Sequence, residues 1–405
     1  MNMDAAIAYK PNEKNIMLQW EPKGFVSMYN AQIETSEFAA DIRLPILEMN
    51  FTPDAYNIKN AKLLVDNSDF ELTGKLWNVD EYLKDKGLLK GEFKFRSDLT
   101  DVYRLMDLTN GFGEEDSTLT VAEQNSQDTA SATSGPYMVP KGIDITLDAQ
   151  INKVQLGFDS AQNLLGNIYL RDGLLVLQDL RFNTSAARMQ LTAMYRTPRR
   201  NHLFVGFDYH MTNTEISELL KTIPDIDSIM PMLRSFGGKG EFHIAAEAYT
   251  DSAYNLKKST IRGVASIKGE NLVLMDGETF SEIAKTLRFS KQAQNKVDSL
   301  SAEFTVFRNE VDVYPFQIVM DKYKAVVGGR HNLDMSFDYH ISLTDSPLPV
   351  QLGVDVKGTM DKMRVLPAKC KYARLYRPVE RREIDTRQLE IRKMIRDALT
   401  SKVKD

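Results

Sequence analysis

The sequence predicts a mainly β protein: an elongated, curved, groove-like antiparallel sheet of repeated strand–strand–helix modules, with a few short capping helices. Three observations lead there. Apolar and polar residues alternate along most of the chain, and a period of two places successive side chains on opposite faces of a strand. The tetrapeptide FDYH occurs twice, at 207–210 and 337–340, each time inside such an alternation. The predicted helices are too few to cover the apolar sides of so many strands.

Taken in order, the first residues, MNMDAAIAYK, already read as strand and turn. SDLTDVYRLMDL predicts a first helix, with Ser97 or Asp98 as N-cap and Leu99, Val102, Leu105 and Met106 on one stripe. The stretch from Gly113 to Gly135 is rich in Ser, Thr, Asp, Glu and Gln and reads as a polar flexible linker. In GIDITLDAQINKVQLGF one phase runs through Ile143, Ile145, Leu147, Ala149 and Ile151, slips at Asn152–Lys153, and resumes with Val154, Leu156 and Phe158. Such a slip marks a bulge or tight turn. Further strands follow at Met189–Tyr195, Leu203–Met211, Phe242–Ala248, Leu300–Val306, Met335–Leu343 and Val350–Val356. Arg171–Asp172–Gly173 and Arg308–Asn309 punctuate them as hairpin turns. TNTEISELLKTI predicts a second helix capped by Thr212 or Asn213, and DGETFSEIAKTLRF a third.

Two stretches align with each other: Phe93 falls on Phe207, Phe95 on Tyr209, Val102 on Ile216 and Leu105 on Leu219. This internal similarity predicts a module used at least twice, with a third version around 323–343 that ends differently. The expected divisions are a first β module at 1–113, a linker at 114–138, a second module at 139–265, a third at 266–376 and a charged helical tail at 377–405. That tail carries nine Lys/Arg and six Asp/Glu and is expected to cap the last strand with its charges in solvent.

Composition narrows the function. Of 405 residues 42% are hydrophobic and 26% charged, which suits a folded soluble chain. With 51 basic and 56 acidic residues the net charge is −5, so no basic field points to nucleic acid. A single cysteine, Cys370, excludes an internal disulfide framework. The N-terminus has no apolar signal core, and no run approaches the ~18 apolar residues of a membrane span. The chain is therefore expected to be soluble as given and to be the later part of a longer protein.

No catalytic signature is present: there is no HExxH, G-x-S-x-G, C-x-x-C or Walker motif. His210 and His340 fall on the polar phase of the FDYH strands and read as solvated surface histidines rather than metal ligands. Asp208 and Asp338 share that phase; as a glycosidase pair they would need to stand ~5–9 Å apart. No enzyme activity, metal or cofactor is predicted. The apolar faces can close as a sandwich, a barrel, or an open curled sheet with an apolar concavity.

The order of motifs resembles the C-terminal region of the AsmA family of Gram-negative envelope proteins. The resemblance is carried by VPKGIDITLDAQINKVQLGFDSAQNLLGNIYLRDGLLVLQDLRFNTSAARMQLTAMYRT, with its turn at Gly166–Gly173, then FDYHMTNTEISELLKTIP, GKGEFHIAAEA and MDGETFSEIAKTLRF. It closes with VDSLSAEFTVFRNEVDVYPFQIVMDKYKAVVGGRHNLDMSFDYHISLTDSPLPVQLGVDVKGTMDKM, and covers most of 60–370. The resemblance implies a β-rich periplasmic body, associated with outer-membrane assembly and lipid homeostasis and usually held at the inner membrane by an N-terminal helix. This chain lacks that helix, so its anchor is expected upstream. The expected function is binding or guiding phospholipid, or another acyl-chain lipid, along an apolar groove lined by Ile145, Leu147, Leu191, Phe207, Tyr209, Phe304, Phe337, Tyr339 and Ile341. The alternative is a scaffold that modulates outer-membrane protein assembly by docking envelope proteins, without binding lipid.

Overall fold

In the computed structural model, the described residues are 2–11, 16–33, 40–109, 136–156, 159–222, 236–274, 296–320, 322–333, 336–346, 351–359, 362–372 and 383–400. They form one long, curved, open sheet with few short helices. The first six strands are β1 (Asn2–Tyr9), β2 (Trp20–Ile33), β3 (Ile42–Phe51), β4 (Ala55–Val65), β5 (Ser68–Trp77) and β6 (Leu89–Asp101). Next come β7 (Ile143–Leu156), β8 (Asp159–Arg171), β9 (Leu174–Asn183), β10 (Arg188–Arg199), β11 (His202–Glu215), β12 (Phe236–Gly237), β13 (Lys239–Thr250) and β14 (Arg262–Leu274). The last six are β15 (Lys296–Phe307), β16 (Glu310–Met320), β17 (Tyr323–Asn332), β18 (Phe337–Asp345), β19 (Leu352–Thr359) and β20 (Lys362–Lys369). The helices are α1 (Val79–Leu83), α2 (Val102–Thr109), α3 (Ile216–Thr222) and α4 (Glu383–Thr400).

Each strand pairs with its neighbour in sequence, so the spatial order follows the chain order. The last strands continue the same meander from β14 to β20. The two residues of β12 pair with β14 in line with β13, so the sheet is 19 strands wide. All pairings are antiparallel except one. β6 and β7 run parallel, with Phe93 opposite Leu147, and the chain between them makes the crossover that a parallel pair requires. Most of the predicted linker, and the third predicted helix, lie outside the described residues. Among the described residues β1 and β20 each pair on one side only, so the sheet is open rather than a closed barrel.

Local sequence accounts for the turns. Asp172 and Gly173 both take positive φ, at 43° and 79°, the two-residue hairpin turn whose twist matches the strands β8 and β9. Arg308, at φ 58°, turns β15 into β16 as expected. The slip predicted at Asn152–Lys153 lies opposite an irregularity in the next strand: β7 runs through unbroken, and Asn163 of β8 takes φ 55°.

Two corrections concern helix starts. β6 continues through Asp101 and α2 begins only at Val102, so Leu99 is a strand residue and Ser97 caps nothing; instead Asp101 Oδ1 accepts from the Arg104 amide at 3.1 Å. β11 likewise continues to Glu215, beyond Thr212 and Asn213. In both places cross-strand pairing extends the strand past the polar cap candidates. The two strand-to-helix steps also differ in the neighbour they lead to: β6 pairs onward with a parallel strand and β11 with an antiparallel one.

Candidate functional site

Residues directly opposite each other on paired strands share a face, so the registers define what each side of the sheet presents. One row begins Met3, Val26, Met49, Ile58, Gly74, Phe93 and Leu147. It continues Ile168, Leu177, Ala193, Phe207 and Ala246. A parallel row runs Leu191, Tyr209, Ile244, Ala265, Phe304 and Val313, then Gly329, Tyr339, Val356 and Val365. Between them these rows cross the sheet from edge to edge without a charged residue. We call this side the inner face.

All nine residues named from the sequence lie on it. Ile145 stands opposite Leu170, Ile341 opposite Val354, and Phe337 opposite Gly358. Their burial differs. Ile145, Leu147, Leu191, Phe207, Tyr209, Phe337, Tyr339 and Ile341 are half-buried, whereas Phe304 is 0% exposed. Burial pushes the Tyr209 phenol up to about 12, and the Tyr195 and Tyr339 phenols upward as well. The inner-face residues of β2 to β6, such as Val26, Leu47, Ile58, Leu72 and Phe95, were not named from sequence as groove-lining. Their alternation is the available signal, interrupted by Pro45 and by bulges between β3 and β4.

The outer face behaves differently. α4 lies on it, burying Ile384, Ile391 and Ile395 against Val176, Met194, Phe204, Ala245 and Val264. The charged tail therefore does not cap the last strand; it crosses back to β10, β11, β13 and β14. Its polar side is held too. The Asp208 carboxylate accepts from His243 Nε2 at 2.5 Å, Gln388 Nε2 at 2.9 Å and Arg392 Nε at 3.3 Å. Burial alone would raise the Asp208 carboxyl; the bonds from His243 and Gln388 and the nearby positive charge outweigh it and hold the group below its ordinary range. Arg387 pairs with Glu247 at 3.1 Å.

The reading of His210 and His340 as solvated surface histidines is thus corrected for His340. Asp208 is 4% exposed and His340 5%. His340 bonds Asp355 Oδ1 at 2.6 Å and Ser342 Oγ at 2.9 Å, and the Lys371 amide donates to it at 3.3 Å. His210 is partly exposed, bonds Glu241 at 2.9 Å, and stacks on His243 with ring centroids 4.8 Å apart. Asp208 and Asp338 do not meet: they sit on β11 and β18, six strand spacings or roughly 29 Å apart along the sheet, and Asp338 pairs with Lys357 at 2.9 Å. Among the described residues no group of three or more His, Cys, Asp or Glu is placed to hold a metal ion. No described helix is long and apolar enough to cross a membrane.

Fold and faces together define an open-sheet β protein with one uncharged apolar face crossing it. No family model, no curated protein and no solved structure matches the chain.

Proposed function

We propose that this chain is a non-enzymatic envelope protein that binds or guides phospholipid on its inner face. The observation that carries the proposal is the uncharged apolar face, on which Leu47, Leu72, Leu147, Leu177, Leu191 and Phe207 are only half-buried. An apolar patch much larger than a few hundred Å² is uncommon on a soluble monomer and marks an interaction surface. A two-chain lipid with roughly 30 methylenes costs on the order of 24 kcal/mol to expose, at about 0.8 kcal/mol each. Contact with an apolar trough offsets much of that, and because such contacts are non-directional they hold acyl chains without fixing their length. The resemblance to the AsmA family, with its repeated strand–strand–helix unit, supplies the setting: a periplasm, a role in outer-membrane assembly or lipid homeostasis, and attachment to the inner membrane through a segment upstream.

Native mass spectrometry of protein purified from its own envelope without detergent, followed by lipid extraction, tests this. Co-purifying phospholipid is expected, and it should be lost in Leu191→Asp and Phe207→Asp variants that keep their β circular dichroism. Well-folded protein that carries no lipid and takes up none from added vesicles would sink the proposal in favour of the scaffold. The tightly buried stretch around Phe304 is the observation that favours that second reading.

A further inference from the structure

The chain is acidic overall, with a net charge of −5, yet one rim of its sheet is basic. Three connections between neighbouring strands lie side by side there: residues 198–202 between β10 and β11, 250–262 between β13 and β14, and 307–310 between β15 and β16. They supply Arg199, Arg200, Lys257, Lys258, Arg262 and Arg308, all exposed except the half-buried Lys257, against Asp251 and Glu310 as acids. Both acids are engaged. Asp251 Oδ1 accepts from the Ala253 and Asn255 amides at 2.9 Å, and Glu310 pairs with Arg330 at 3.2 Å.

The three connections form one surface. The Lys257 ammonium donates to the Asn201 carbonyl at 2.5 Å, which ties the first to the second. The Arg308 amide donates to the Ile261 carbonyl at 2.7 Å, which ties the second to the third. From β10 to β16 the surface extends over five strand spacings, about 24 Å. It also presents apolar side chains: Tyr254 is 46% exposed, Leu256 52% and Phe307 50%. Each is held in place. The Tyr254 hydroxyl accepts from the Tyr137 amide at 2.7 Å, and Leu256 bridges back to Thr250. The Arg262 and Arg308 guanidinium groups lie over the Phe307 ring, 5.6 and 5.1 Å from its centroid. Fixed, exposed apolar side chains ringed by cations suit a lipid interface, where rings and aliphatic groups enter the headgroup layer and Lys and Arg reach the phosphates. A nucleic acid would satisfy the cations but give Leu256 no apolar partner.

We infer that this rim docks on the surface of an anionic phospholipid bilayer, with Tyr254, Leu256 and Phe307 at headgroup depth and the six cations over the phosphates. The docking goes beyond the inner-face reading and does not depend on it. Arg262 and Phe307 stand opposite each other in the row of Gly206 and Glu247, on the outer face.

Sedimentation of the full chain with vesicles tests the docking. Binding is expected to phosphatidylglycerol mixed with phosphatidylcholine, should weaken as salt rises, and should be absent from phosphatidylcholine alone. Arg199→Gln, Lys258→Gln and Arg308→Gln combined should lower the partition coefficient roughly a hundredfold at low salt, at about fivefold per cation, with the circular dichroism of the sheet unchanged. Leu256→Ser keeps every cation and should also weaken binding. Added vesicles should slow amide exchange in residues 198–202, 250–262 and 307–310. No binding, equal binding to phosphatidylcholine alone, full binding by the triple variant, or protection confined to other residues overturns the proposal. Binding that ignores Leu256→Ser and is competed away by polyglutamate replaces the bilayer with an acidic protein partner. The inner-face reading has its own signal, lipid that co-purifies with the protein in solution, and the triple variant should retain it.

Discussion

Each FDYH strand is two-faced, and its residues divide the work of the molecule. Phe207 and Tyr209 turn inward, while Asp208 and His210 turn outward. In both copies an outward residue receives the chain's own C-terminal segment: Asp208 takes Gln388 and Arg392, and His340 takes the Lys371 amide. Truncating Asp208 to Ala leaves His243 and Arg392 facing a buried gap, and breaking a buried pair in this way costs about 3–5 kcal/mol. The expected result is a lower urea midpoint and faster amide exchange across α4. The same carboxylate makes stability depend on pH. Because its folded pKa lies below the ordinary 3.8, its contribution is present above that value and is lost as pH falls through the depressed one. α4 protection should therefore drop in acid, and Asp208→Asn should flatten that dependence. Tyr209 acts at the other extreme. Its contribution is complete below the ordinary 10.0 and is lost as pH rises towards about 12, so tyrosinate absorbance at pH 11 should appear only with unfolding for this residue and be absent from that slow fraction in Tyr209→Phe.

Among the elements, those set by short-range pattern were legible and those set by distant partners were not. Alternation located the strands because a half-exposed sheet needs one apolar side, and Asp172–Gly173 located a turn because both residues must adopt positive φ. The ends of β6 and β11 were misplaced because Ser97, Thr212 and Asn213 look like caps in isolation, while strand pairing holds Ser97 and Thr212 and resumes at Thr214 beyond a break at Asn213, which takes φ 53°. α4 was legible as a helix but not as a returning one. Nothing in its own sequence says that Ile384, Ile391 and Ile395 match an apolar strip made by β9, β10, β11, β13 and β14. Ile391→Ala, at a site 0% exposed, should cost about 2–5 kcal/mol. Leu389→Ala, at a site 65% exposed on the same helix, should stay within about 0.5 kcal/mol. Exchange rates of the α4 amides in the two variants check the contrast, since a helix that merely floated over the sheet would respond equally to both.

An open sheet of 19 strands has two edges, and this molecule treats them differently. β20 ends in Lys362, Arg364, Pro367 and Lys369, all exposed; charges and a proline, which lacks an amide donor, are the usual guards against another strand. β1 carries Asp4 as its one charge, with Met3, Ile7 and Tyr9 exposed along the apolar side. The sequence showed the many apolar sides but could not show this openness, because period-two alternation is the same in a barrel, a sandwich and a trough. What distinguishes them is whether the first strand finds the last, a contact across the whole chain. The bare edge has a consequence at this scale. Unpaired amides and carbonyls flanked by apolar side chains invite a further strand, whereas the guarded edge refuses one, so pairing should be edge-to-like-edge through β1 rather than head-to-tail. Sedimentation of this polypeptide should then show a monomer–dimer equilibrium without longer species. It should change little with salt, because the contacts are backbone bonds and apolar area rather than ion pairs. Ile7→Lys places a charge on the edge and should shift the population to monomer. Open-ended oligomers, or a dimer that survives Ile7→Lys, would show that association runs through some other surface.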